Sequence, residues 1–160
     1  VRALSDLINV YHQSVGNNAV LELDFAIDRT GNVHPTHAAQ YAALGNWARA
    51  CYGTPLASTA GNVSQLELTL PGGSSGSLLD RFMVQEDIRL GERVRVWSLE
   101  YMAPGSSTYT TFANGTVIGH KHIEVGAANV TAVSARFTVS SSVGVPIITR
   151  FAAFSPCPRA

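Results

Sequence analysis

Charge is scarce in this chain. Only 14% of its residues are Asp, Glu, Lys or Arg, against about 25% in an average soluble domain. With 46% hydrophobic residues, the composition excludes a disordered chain and points to a packed globule. The 11 basic and 11 acidic residues cancel, so no basic surplus draws nucleic acid or an anionic membrane surface. Long apolar runs are missing as well; none reaches the ~20 residues that cross a bilayer. The first twenty residues lack the pattern of a signal peptide, because Asp6, Asn9 and His12 sit inside an amphipathic repeat. The sequence opens on Val1 rather than Met, which leads us to expect a processed or excised segment. Chemical fingerprints are equally sparse. There is no Gly-x-Ser-x-Gly, P-loop, Cys-x-x-Cys or dinucleotide motif. Cysteine is limited to Cys51 and Cys157. In an oxidising compartment they could pair; otherwise each is buried or bonded to something missing.

Three Asn-x-Ser/Thr sequons are present, at Asn62, Asn114 and Asn129. Three in a chain of 160 residues point to a glycosylated, secreted protein.

The chain divides by periodicity. Residues 1–55 read as helix, strand, helix. Leu4, Leu7, Ile8, Tyr11 and Val15 recur at helical spacing between Ala3 and Val15, with Ser5 as N-cap and Gly16 as a left-handed stop. Val20–Phe25 then alternates: Leu21, Leu23 and Phe25 on one face, Val20, Glu22 and Asp24 on the other. Carboxylates opposite large apolar groups suit a barrel strand, its apolar face against outer helices and its polar face toward a lumen. A turn through Asp28 and Gly31 leads to a second helix, opened by Pro35 and Thr36 and ended by Gly53 and Pro55. Its stripe is Tyr41, Leu44, Trp47, Ala48 and Cys51. One strand cannot close a sheet, so this unit is incomplete. Residues 56–160 change character: Gly, Ser, Thr and Val dominate, and seven alternating runs separated by turns predict an antiparallel β-sandwich. Those runs are 64–70, 81–86, 93–101, 108–112, 116–125, 130–140 and 147–154.

Few residues suggest chemistry. Glu22 and Asp24 share a strand face with α-carbons ~6.6 Å apart. They lie on the same side of any ligand, whereas the carboxyl pair of a retaining glycosidase, ~5–5.5 Å apart, flanks the scissile bond. Asp24, nearer the strand's C-terminal end, is the one candidate to touch substrate at a site's rim, or to orient neighbouring rim groups. His34 and His37, and His120 and His122, are pairs without a third ligand, and no metal is expected. Cys51 lies on an apolar stripe and is no nucleophile. Trp97 and Tyr101, on a face with Arg93 and Arg95, could form a sugar platform with His120; the plainer reading is aromatic packing in a core.

The run Tyr11 to Gly31, with Ser14-Val15-Gly16-Asn17 and the Asp28-Arg29-Thr30-Gly31 turn, resembles the end of the catalytic barrel in retaining α-L-fucosidases. Glu22-Leu23-Asp24-Phe25 and Gly45-Asn46-Trp47-Ala48-Arg49-Ala50-Cys51-Tyr52-Gly53 are most similar to the plant branch. Asp24 and Ile27 depart from the Asn and Pro of many members. Gln85-Glu86-Asp87-Ile88-Arg89-Leu90-Gly91-Glu92-Arg93-Val94 and Asn114–Lys121 resemble the discoidin-like C-terminal sandwich of the same enzymes. The resemblance implies the last unit of a (β/α)8 barrel followed by that sandwich. It also implies hydrolysis of terminal α-L-fucose from glycans through a covalent aspartyl intermediate, without a cofactor. The family's nucleophile and acid/base lie upstream, in a Trp-Phe-Asp-Gly-like strand and beyond, and neither is in this chain. The expectation is therefore an inactive C-terminal portion that needs an N-terminal barrel chain as partner, in a secreted (apoplast or cell wall) or vacuolar enzyme. The competing expectation is a free-standing carbohydrate-binding sandwich.

Overall fold

The computed structural model describes residues 2–157. Eight strands form two four-stranded antiparallel sheets packed face to face. They are β1 Ala57–Gly61, β2 Gln65–Thr69, β3 Ser77–Glu86, β4 Val94–Met102, β5 Thr110–Gly115, β6 His122–Ala132, β7 Ser134–Ser142 and β8 Ile148–Phe154. One sheet has the order β1-β8-β3-β6 and the other β2-β7-β4-β5. The antiparallel sandwich is thus as expected, with one more strand than the sequence suggests. Between the sheets, alternate residues interdigitate: Phe82, Val84 and Phe151 from one side meet Trp97, Leu99 and Phe137 from the other, all essentially without solvent exposure.

Two helices cover the outer face of the first sheet. The first, α1 (Leu4–Ser14), is preceded by Ala3 rather than capped by Ser5, and no side chain caps it. The second, α2 (Pro35–Tyr52), begins with proline in its first turn, where a missing N–H costs nothing. The His34 imidazole accepts the Thr36 N–H there at 3.3 Å. Leu7 from α1 and Leu44, Trp47, Cys51 and Tyr52 from α2 bury against Met83, Ile123, Ala152 and Phe154. Those four are the outward-facing residues of β3, β6 and β8, so the first sheet is apolar on both faces.

A register change makes this double facing possible. Leu79 and Phe82, three apart, both point into the sandwich core, because the β3–β6 register shifts between Leu79 and Arg81. Such a bulge re-aims the following side chains, and Arg81 and Met83 consequently face the helices.

Three more local expectations are revised, one being the run 130–140, which is split because β6 ends at Ala132 and β7 begins at Ser134. Gly16 is not left-handed; Asn18 is, at φ 65°. The run 116–125 is not one strand, because residues 116–121 form a loop and β6 starts at His122. The cause is Asn18: its side chain accepts the His120 N–H at 2.6 Å and its own N–H donates to the Lys121 carbonyl at 2.9 Å. Gly119, at φ 64°, is required there, since a Cβ would fall 2.2 Å from the Asn18 amide. The end of α1 is thereby stitched to the edge of β6, with Ile123 N–H donating to the Gly16 carbonyl.

Candidate functional site

The segment joining the helices is extended but forms no ladder. Val20, Glu22 and Asp24 are exposed while Leu21, Leu23 and Phe25 are half-buried, so the alternation expected of a strand is present. Among the described residues, none supplies a main-chain hydrogen bond to positions 20–25. The first main-chain pairing comes at an isolated bridge between Ile27 and Val33. A row of free amides and carbonyls is a template for another strand.

The inward side chains are held by the helices. The Phe25 ring meets Tyr41 edge-on at 5.0 Å and His37 at 6.0 Å. Leu23 packs on the cluster under α1 and α2. Two open cavities flank the segment. One, about 380 Å³, is mostly apolar and lies between Leu21, Leu23, Tyr11, Tyr41 and Leu44. The other, about 230 Å³, contains Asp24, Phe25, His37, Gln40 and Arg2. Val20 is 92% exposed, and Ile27 and Tyr41 are exposed too. The turn beyond is rigid. Asp28 accepts hydrogen bonds from the Thr30 hydroxyl (2.6 Å), the Thr30 N–H (2.7 Å) and the Asn32 N–H (3.1 Å). These bonds, the Thr30 hydroxyl foremost, hold its pKa below the usual carboxylate value.

The other sites foreseen from sequence fall apart from this one. Trp97 is only 2% exposed and donates its indole N–H to the Val117 carbonyl at 3.1 Å. It therefore offers no face to a sugar. Arg95 is exposed on the opposite side of β4, and two register shifts separate Val94 from Trp97. His122 is paired with Glu124 at 3.1 Å and lies 5.1 Å from the Trp97 ring, while His120 sits in the preceding loop. Among the described residues, no group of three His, Cys, Asp or Glu converges on a metal-sized point. Also among them, no helix is long and apolar enough to cross a membrane. Cys51 and Cys157 form a disulfide with α-carbons 5.1 Å apart, tying the end of α2 to the segment after β8. Asn62, Asn114 and Asn129 are all exposed.

A buried polar network under the helices was missed from sequence. Arg81 is 4% exposed and forks onto Asp80 with bonds of 2.7 and 2.6 Å. It also donates to the Tyr52 hydroxyl at 3.3 Å, which in turn meets His12 Nε2 at 2.6 Å. Burial raises the Tyr52 pKa to about 12. It lowers that of His12, with the Arg81 charge adding to the effect. The signal in sequence was an Asp-Arg pair, Asp80-Arg81, inside the otherwise apolar run Leu78–Val84.

The class these features define is a two-sheet antiparallel β-sandwich with two helices on one face and an open extended segment between them. No protein-family model and no curated protein matches the chain. Solved structures do. An inferred α-L-fucosidase of Bacteroides thetaiotaomicron superposes with a TM-score of 0.91 at 31% identity over 98% of this chain. A second from the same species gives 0.85 at 28% identity over 99%. A glycoside hydrolase family 29 member from an unknown rumen bacterium gives 0.85 at 27% over 100%. The chain spans only 35%, 41% and 30% of those structures respectively.

Proposed function

We propose that this chain is the C-terminal part of a secreted, plant-type α-L-fucosidase that removes terminal fucose from glycans with retention of configuration. In this reading residues 1–55 are the end of the catalytic barrel, and its nucleophile and acid/base belong to an N-terminal barrel portion that is the chain's partner. Val20–Phe25 is the barrel strand. Asp24 stands at the substrate rim, either touching the sugar or orienting groups that do. The chain itself is inactive. The carrying observation is the superposition on the 31%-identical fucosidase, which includes the helices and the open segment as well as the sandwich. Glu22-Leu23-Asp24-Phe25 supports the plant branch. The disulfide and three exposed sequons support an oxidising route to the apoplast, cell wall or vacuole.

The test is fucose release from an aryl α-L-fucoside by the longer polypeptide that contains this sequence and by the 160-residue chain alone. Only the longer form releases fucose, and proton NMR shows the α-anomer first. A longer form that binds fucosylated glycans without hydrolysing them overturns this reading in favour of a binding module. Activity in the short chain overturns the location of the catalytic residues.

A further inference from the structure

A third cavity, about 430 Å³, lies where α1 and α2 meet the edge of the first sheet, within the ~300–1,000 Å³ of small-molecule sites. It shares no lining residue with the two cavities beside the open segment. Its lining combines the Trp47 ring, Ile8, His12 and the Asp80–Arg81 pair. Ile8 and the rim of Trp47, a residue only 8% exposed, lie beside a carboxylate and a guanidinium, a mix that suits the C–H edges and hydroxyls of a pyranose. Arg81 and Asp80 are already locked together, so the polar groups are held in place before any ligand arrives.

Asn129 also lines this cavity. Its direction follows from register. Val130 packs on the sandwich core and Ala132 is fully buried there, so the alternation turns Asn129 and Thr131 to the helix side. The β3–β6 register adds to this, pairing Leu79 with Val130 but Arg81 with Val125. Residues 126–129 of β6 therefore have Asp80 alone opposite them, a bulge that ends at Asn129 beside the cavity it lines.

We propose that Asn129 carries an N-linked glycan and that its first N-acetylglucosamine occupies this cavity, fastening α1 to the sandwich. The transfer joins Asn129 Nδ2 to the anomeric carbon of N-acetylglucosamine. It breaks that carbon's bond to the diphosphate of a lipid-linked oligosaccharide, and the lipid diphosphate and one amide proton leave. The inference rests on the secretory reading above but not on fucosidase activity.

The experiment is peptide mass spectrometry on the full-length protein secreted from a eukaryotic host, with peptide N-glycosidase digestion under native and denaturing conditions. Asn129 is occupied, and native release from it is about ten-fold slower than from Asn62, which stands in the exposed turn after β1. Denaturation removes the difference. Asn9→Trp, on the exposed face of α1 at the mouth, fills the cavity and brings native release at Asn129 up to that at Asn62. Asn129 unoccupied while Asn62 is occupied overturns this inference alone, as does equal native release at the two sites. No occupancy anywhere overturns the secretory reading with it.

Discussion

The sandwich and the helical cover share the first sheet but are closed to different degrees. The buried residues of both sheets form one cluster, and Phe82, Phe137 and Phe151 pack within 6 Å or so of a neighbouring ring, at 5.9 and 5.8 Å. The helical cover is sealed only toward the sheet. On its far side Val20, Ile27 and Tyr41 are exposed, and the backbone of 20–25 has no partner among the described residues. The difference teaches that alternation in sequence specifies which face a strand will bury, while the ladder itself is a property of two segments.

The comparison can be broken first in the sandwich. Phe82→Ala removes a ring with no solvent exposure and should cost about 3–5 kcal/mol, read from urea unfolding. A loss below ~1 kcal/mol would mean that this core is no better closed than the cover. The link between the two regions comes next. Replacing Cys51 and Cys157 by serine opens a bridge spanning 106 residues and should cost about 2–5 kcal/mol. Limited proteolysis should then cut near the helices before the strands. Within the cover, Leu23→Asp should cost about 1–2 kcal/mol in this chain, because Leu23 is half-buried and packs on the cluster under the helices. On the proposed function, the same change in a longer polypeptide should abolish fucose release, since a carboxylate would face the apolar side of the proposed barrel wall.

The smallest effect is electrostatic. His12 has its pKa lowered in the fold, first by burial and then by Arg81, so the unfolded chain binds the extra proton more readily. Stability is then fully present above the ordinary histidine value of about 6.5 and falls as pH drops through the folded value. Thermal unfolding between pH 7.5 and 5 should show this decline, and His12→Gln should flatten it. An unchanged slope would remove His12 from the network.

How much of this was legible follows from which signals are local. The sandwich strands announced themselves by alternation and by turns such as Pro71-Gly72-Gly73. Strand β1 did not, because Ala57-Ser58-Thr59-Ala60-Gly61 has no large apolar residue to set a period; it is placed by its partner β8. The run 116–125 looked continuous because nothing nearby in sequence shows that Asn18, some hundred residues away, holds the loop through His120 and Lys121. Trp97 could be surface platform or core from its spacing alone, and the facing sheet decides for core. Arg81 escaped notice because its partner Tyr52, and the His12 that Tyr52 meets in turn, come from two helices distant in sequence. The open segment was legible in its faces and in its lack of a neighbouring strand.

Hydrogen–deuterium exchange over Val20–Phe25 tests the central claim most directly, comparing this chain alone with the longer polypeptide. Amides 20–25 should exchange freely in the chain alone and be protected in the longer form to the level of β3. Equal, rapid exchange in both would show that no barrel closes on this segment.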